Sequence, residues 1–476
     1  MFRNTAFQLL GRGAAILSGL ISIPLYIYYL GLESYGVIGI YLSLLNLSAV
    51  LDFGLPMALN RQISVMRVQK NAINAISRLI RSFELILLCV GLILFGILYN
   101  LSAFVAKDWL NLVTLDPLMV ESLFKLMSLA IVLRLPVALY NSCLYAFDFH
   151  GRANAMTIFG ALFKVLSPVI AFEVYETSLF VFFWTQIAVN FLELFGLFLF
   201  VWGKDLSFFV LPTKGDTFKK TLKITYSLAG ISMTTIFLAQ IDKVILSKFI
   251  TLDMFAIYSV AFSLAVGVLP MAYAIGNAGF PSISRYLAAQ DLPQFQRIVQ
   301  RVFLLKCLII VPVSGVMMFY SGQLQSIFSL FTPHGHEILD VLPYIAFGAM
   351  LQCFTVLFYG VQVARGKPEG FLIVNLISLF FFSAIYFVVA QKHNLIGIGI
   401  VFIICHAFLL ISLIFFTFKD KPLRGIWKIE IGKALLPLSM SLILMKAISY
   451  VFETSSLISS VFLIGTSLLL VVSLQL

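Results

Sequence analysis

The sequence predicts an all-α, polytopic membrane protein, on three observations. Hydrophobic residues make up 61% of the chain and charged residues only 11%, roughly half the charged share of a soluble domain. Apolar runs of twenty or more residues recur from end to end, each long enough to cross about 30 Å of hydrocarbon. Lys and Arg collect on alternate connections between those runs, as loop charges do when they fix orientation. Helices are required because an open sheet leaves backbone groups unsatisfied in lipid.

Taken in order, apolar windows and breakers give about fourteen spans: 8–30, 36–59, 82–106, 122–147, 153–174, 179–202, 224–249, 255–280, 299–320, 338–364, 369–391, 396–418, 431–451 and 456–475. The first starts within ten residues of the N-terminus and lacks a small-residue cleavage site, so it is expected to remain as a helix. With the N-terminus inside, the cytoplasmic segments, the Arg285–Lys306 stretch among them, hold 24 Lys and Arg, against Lys107, Lys125, Lys248 and Lys392 on the other side. Both termini are therefore expected in the cytoplasm. The net charge of +11 then reads as topology signal and contact with membrane lipids, not as a nucleic-acid footprint.

The polar stretch 203–223 divides the chain into an N-terminal lobe, 1–202, and a C-terminal lobe, 224–418, followed by two further spans in 419–476. The lobes resemble each other. "GLESYGVIGIYLSL" (31–44) aligns with "TLDMFAIYSVAFSL" (251–264), pairing Glu33 with Asp253 and Ser43 with Ser263, and "GLP" (54–56) with "GFP" (279–281). Both matches fall on the second helix of a half, as duplication produces.

Five single cysteines in apolar stretches read as small core residues. No nucleotide loop, zinc helix or calcium loop is present. "TPHGHEILD" (332–340), with His334, His336 and Glu337, reads as a solvated loop rather than a metal site. Nothing else suggests a catalytic constellation, so an enzyme such as a glycan ligase or transferase is disfavoured.

Ionisable residues within the spans carry the functional reading: Arg12, Asp52, Glu84, Arg134, Lys164, Glu193, Asp242, Lys243, His406 and Lys446. Each costs a few kcal/mol at mid-bilayer and is expected to face a cavity or a partner. Arg134 sits in the middle of "MSLAIVLRLPVALYNS", and Lys164 is central in "NAMTIFGALFKVLSPVIAF". Lys164 shares a face with Thr157, Gly160, Ser167 and Ala171; Arg134 with Ala138, Asn141 and Tyr145; Arg12 with Gln8, Ala15, Gly19, Ser22 and Tyr26. One small, polar face per helix is what a wet lumen needs. Glu193 is the one carboxylate at matching depth, and ion pairing that fixes helix packing is the competing reading. For Glu84 beside nearby arginines, and for Asp242 with Lys243 through other helices, pairing is the expected outcome. Prolines 24, 56, 136, 168, 270, 312 and 437 lie within spans and allow kinks.

Segment 4–64, through Asn4, Pro24, Gly31, Tyr35-Gly36 and "LDFGLPMALNR" (51–61), resembles the Wzx-type O-antigen flippase family. That family is part of the multidrug/oligosaccharidyl-lipid/polysaccharide (MOP) exporter superfamily. "AQIDKVILSKF" (239–249) and "IYSVAFSL" (257–264), with Gln240, Asp242, Tyr258 and Ala261, continue the resemblance. The resemblance implies two six-helix lobes in a V, plus two C-terminal helices similar to those of the lipid II flippase branch. It implies alternating access and a substrate oligosaccharide linked through pyrophosphate to undecaprenol, in the bacterial cytoplasmic (inner) membrane. Arg134 and Lys164 would then bind pyrophosphate, with Arg12, Arg61, Asn141 and Lys243 as further substrate-binding candidates. Asp52, Glu193 and Asp242 are candidates for coupling to a proton or sodium gradient. No cofactor is expected, and the membrane potential itself favours outward movement of each negative charge by about 2.3 kcal/mol per 100 mV. A polysaccharide polymerase and chain-length machinery are the protein partners implied. A lipid II flippase or a multidrug exporter is the alternative, although a pump for cationic drugs would want acidic residues where basic ones dominate.

Overall fold

In the computed structural model, the residues described are 18–19, 21–52, 54–67, 72–203, 210–212, 216–320, 324, 335–366, 369–418 and 446, with side chains omitted for 216–229. They are helical apart from turns and one isolated bridge, Asn111 with Thr251. Among them, eleven helical segments are long and apolar enough to span a membrane, and Ile21–Leu30 is a shorter apolar helix. These twelve correspond to the expected spans from 8 to 418. The spans expected at 431–451 and 456–475 lie outside the described residues.

The elements are α1 (Ile21–Leu30), α2 (Leu32–Ser48), a 3-10 turn (Ala49–Asp52), α3 (Leu55–Met66), α4 (Ile73–Phe104, ending in a π turn Val105–Trp109), α5 (Pro117–Ala146), α6 (His150–Val174) and α7 (Leu179–Trp202). They continue as α8 (Asp216–Phe249), α9 (Leu252–Val266), α10 (Leu269–Ala288), α11 (Leu292–Phe319), α12 (Gly335–Ala364), α13 (Glu369–Ala390) and α14 (Leu395–Phe418). Starts are chemically marked. Asp116 accepts from the Met119 amide ahead of Pro117, Ser178 from Val181, and Asp291 from Gln294, each a side-chain N-cap. α8 begins at Asp216, so part of the expected linker 203–223 is helix.

The spans expected at 36–59 and 255–280 are each divided in two. After α2, the Asp52 carboxylate accepts from the Gly54 amide at 2.9 Å, and Gly54 takes φ of 73°. That is left-handed backbone, which glycine adopts at little cost. Helix resumes with Leu55-Pro56-Met57-Ala58; α9 stops at Val266 and resumes with Leu269-Pro270-Met271-Ala272. Proline in a first turn starts a helix because its missing N–H would be unpaired there anyway. The two restarts share Leu-Pro-Met-Ala, which pairs Pro56 with Pro270, while Pro281, matched to Pro56 by sequence, lies inside α10.

The chain forms two compact units, Met1–Asp253 and Met254–Leu476, and α8 packs with the first, against α2 and α3. In that unit the core joins α3, α4, α5 and α7 through Leu59, Ile63, Phe83, Leu139, Leu144 and Leu197. The opposite face of α4 exposes Leu88, Leu92 and Ile93 at 58–63%, which suits lipid rather than water. Glu84 is held where α4, α5 and α7 meet. It accepts from Arg81 at 2.6 Å, Tyr140 at 2.7 Å and the Trp202 indole at 2.8 Å.

One end of this unit is clasped. Glu33, in the first turn of α2, accepts from the amides of Val113 at 2.7 Å and Thr114 at 2.9 Å and from the Thr114 hydroxyl. Asn111 donates to the Lys248 carbonyl at 2.9 Å, and the Trp109 indole donates to Ser247 at 3.0 Å. Gly36 closes the same junction: a Cβ there would lie 2.4 Å from the Leu252 carbonyl oxygen.

In the second unit α12 packs on α14 by the same small-residue logic. Gly348 faces the Phe402 ring, and Gly399 faces Tyr344. Lys306, placed by sequence in a cytoplasmic stretch, is fully buried in α11, where its ammonium donates to the Cys353 carbonyl at 2.8 Å. His336, Glu337 and Asp340 lie at the start of α12 rather than in a loop, His336 and Asp340 being 3.4 Å apart. His334 lies outside the described residues, and among those described no group of His, Cys, Asp and Glu suits a metal ion.

Candidate functional site

Arg134 of α5, Lys164 of α6 and Glu193 of α7 meet inside the first unit. Arg134 Nη1 and Lys164 Nζ both donate to the same oxygen, Glu193 Oε2, at 2.6 and 2.8 Å. The two cations are thus paired, and the carboxylate between them is the one the sequence offered. Two like charges can be brought together only with an opposite charge interposed, and the group retains one net positive charge. Glu193 approaches α6 at Gly160, where a Cβ would stand 2.4 Å from Oε2. The stripe of small residues containing Lys164 therefore serves the carboxylate as well as the lumen.

The triad borders a cavity of about 280 Å³. Its other walls are Tyr26, Tyr35 and Tyr41 from α1 and α2, with Phe182, Gln186 and Asn190 from α7. Edge-to-face contacts of Tyr26 with Phe182 (5.1 Å) and of Tyr41 with Phe183 (5.3 Å) hold the aromatic wall. Asn190 is anchored through its amide to the Ala130 carbonyl at 3.1 Å. The space combines cationic donors, aromatic faces and amides, a set suited to an anionic group carrying sugars.

Lys164 is set in place by a proline. A helix carbonyl normally accepts from the amide four residues on; for Lys164 that residue is Pro168, which has none. The freed carbonyl accepts instead from the Tyr26 hydroxyl at 2.6 Å and the Gln186 amide at 2.9 Å, tying α6 to α1 and α7. Sequence reasoning missed Gln186 and took Tyr26 only as part of a stripe, although the four-residue spacing of Lys164 and Pro168 announced a carbonyl needing outside donors. Removing both donors, in Tyr26→Phe with Gln186→Leu, is expected to lower stability by about 1–3 kcal/mol. Adding Pro168→Ala should recover much of that loss, because the amide returns. Thermal unfolding of the three variants in detergent checks this, and no recovery would assign the loss to packing.

The other expected site residues fall elsewhere. Gly19, Ser22 and Tyr26 line the cavity as their spacing suggested, while Arg12 lies outside the described residues. Arg61 is exposed on α3. Asn141 is not part of the cavity wall; its carbonyl oxygen is buried. Asp242 and Lys243 pair directly with each other at 3.1 Å, both nearly fully buried on α8. Asp52 caps the turn into α3.

Long apolar helices thus line a charged, aromatic cavity in the first unit. Comparison with known proteins shows that the fold is similar to that of MOP superfamily transporters. The lipid II flippase MurJ, in an inward closed conformation, superposes with a TM-score of 0.73 at 13% identity, over 99% of this chain and 98% of that one. An inward-facing multidrug resistance MATE family transporter of the MOP superfamily superposes with 0.70 at 12% identity, over 85% and 94%. Residues 228–389 match the MatE family. A Shigella flexneri protein named as a candidate O-antigen transporter is 23% identical over 404 residues, 84% of this chain and 93% of its own. Over most of its length the chain is accordingly similar to multi-pass membrane transporters and flippases of MOP type.

Proposed function

We propose that this protein flips oligosaccharides linked by diphosphate to a polyprenol such as undecaprenol, from the inner to the outer leaflet of the bacterial cytoplasmic membrane, by alternating access. The observation that carries the proposal is the paired cations Arg134 and Lys164, which border a buried, tyrosine-walled cavity with positive charge in excess. Arg supplies a forked donor and Lys a point charge, the combination that suits phosphate oxygens. Tyrosine faces and the amides of Gln186 and Asn190 suit sugar rings. The Shigella relative, by its name, handles O-antigen, and MurJ handles lipid II, which supports a lipid-linked saccharide as the substrate class here.

In this reading both termini are cytoplasmic, and Arg12 and Arg61 receive the head group nearer the cytoplasmic mouth. Counted by spans, the stretch 203–223 falls between the sixth and the seventh, although α8 packs with the first unit. Asn141, Lys243, Asp52 and Asp242 serve the fold more than the ligand, since each is engaged or set apart from the cavity. The inside-negative potential drives a doubly charged head group outward by about 2.3 kcal/mol per charge at 100 mV. The polymerase and chain-length machinery of the surface polymer act on the product.

The test is translocation in liposomes of a fluorescent undecaprenyl-diphosphate oligosaccharide, read by accessibility to an external glycosidase. Arg134→Ala and Lys164→Ala each leave the site with no net charge and are expected to slow translocation by about tenfold or more. Unchanged rates in both, with the protein folded, would overturn the assignment.

A further inference from the structure

The three charged side chains are not equally placed. Glu193 is 2% exposed, whereas the side chains of Arg134 and Lys164 are 36% and 23% exposed, on the cavity they line. One carboxylate oxygen takes a single donor from each cation, Nη1 from arginine and Nζ from lysine. A guanidinium has five N–H donors and an ammonium three, so most of the donor capacity is left over. The carboxylate rests in a notch: at Gly160, a Cβ would lie 2.4, 2.7 and 3.1 Å from Oε2, Cδ and Oε1 of Glu193.

This arrangement gives the site an anion of its own. A membrane transporter with a cationic cavity is surrounded by lipids whose phosphodiester head groups carry a single negative charge, at far higher concentration than any polyprenyl-linked sugar. A monoanion approaching Arg134 and Lys164 meets a pair already shared with a monoanion that is covalently attached and preplaced. It gains little and is repelled by the carboxylate. A diphosphate diester brings about twice the charge and more acceptor oxygens, and it can use the spare donors while drawing both cations away from Glu193.

Resting on the reading of Arg134 and Lys164 as the anion site, we propose that Glu193 is a resident counter-anion that sets specificity: it excludes monoanionic phosphodiesters and yields the cations to a diphosphate. Gly160 is its seat. Specificity of this kind is a difference of affinities made by a built-in competitor.

The experiment uses the full-length protein in nanodiscs of zwitterionic phosphatidylcholine. Binding is measured for two soluble probes differing by one phosphate, geranyl-diphospho-N-acetylglucosamine and geranyl-phospho-N-acetylglucosamine. Wild type is expected to favour the diphosphate by about tenfold or more. Glu193→Gln, which removes the competitor and keeps its shape, is expected to bind both probes more tightly, the monophosphate most, so that the preference shrinks to about threefold or less. Glu193→Asp keeps the charge and should keep most of the preference. Gly160→Ala leaves every charge in place but fills the seat, and should narrow the preference as Glu193→Gln does, which covers the case of Glu193→Gln failing to fold.

Weaker binding of both probes to Glu193→Gln would make Glu193 a support for the cations and overturn the proposal, as would an unchanged preference in Glu193→Gln or Gly160→Ala. Arg134→Ala and Lys164→Ala separate the two levels. If they leave diphosphate binding intact, the site assignment itself falls. If they abolish it while Glu193→Gln changes nothing, only the role of Glu193 falls.

Discussion

Glu193→Ala is expected to destabilise the protein more than Arg134→Ala or Lys164→Ala. The reason is the two-to-one stoichiometry around Oε2. Removing either cation leaves the carboxylate with the other, still hydrogen-bonded and now neutral as a pair. Removing the carboxylate leaves two cations of like charge side by side with no anion between them. A broken, fully buried ion pair costs about 3–5 kcal/mol. The cations here are partly exposed to the cavity, which screens them, so about 1–3 kcal/mol is the appropriate expectation. Thermal unfolding in detergent would measure it. Equal losses for Lys164→Ala and Glu193→Ala would show that the charges are solvated independently and that the triad is not one unit.

Gly36→Val should be as damaging through geometry alone. The neighbour a side chain would strike is the Leu252 carbonyl oxygen, 2.4 Å from an ideal Cβ, with the carbonyl carbon at 3.1 Å. Backbone cannot swing aside as a side-chain tip can, so α2 and the α8–α9 turn must separate. Nearby, Glu33 grips Val113 and Thr114, and Asn111 grips Lys248, so separation strains those bonds too. Overpacking of a tight core typically costs about 1–3 kcal/mol; Gly36→Ala should fall in that range and Gly36→Val above it. Hydrogen exchange should quicken at 110–116 and 250–252. A neutral Gly36→Ala, with exchange unchanged, would mean that the junction gives way freely.

The twelve apolar helical segments among the described residues, and the placement of Arg134 and Lys164 at a cavity, were legible in the sequence because both rest on one strong effect, the cost of polarity in hydrocarbon. The polar stripes were legible for the same reason: Gly19, Ser22, Tyr26, Thr157 and Lys164 all reach the cavity. What was hidden depends on interactions between helices distant in sequence. Glu193 could be named as the carboxylate at matching depth, but periodicity does not reveal that one of its oxygens would serve two cations, 59 and 29 residues away. The break in α2 was hidden by composition, since Ala49–Asp52 and Gly54 sit within an apolar run. The burial of Lys306 was hidden because its neighbours Arg297 and Arg301 read as a charged loop, whereas α11 runs unbroken from Leu292.

The assignment of α8 to the first compact unit has a bearing on how the polypeptide tolerates interruption. By sequence, 203–223 is the natural place to cut the gene in two, since it follows six spans and is polar. A nick there would sever α8 from the helices it packs against, α2 and α3, because the boundary between the units falls later, after Asp253. Two fragments made by such a cut would each lack part of one folding unit. Their reassembly would be a matter of docking a single long helix into a preformed slot, and the clasp of Trp109 and Asn111 on Ser247 and Lys248 would act as the latch of that docking.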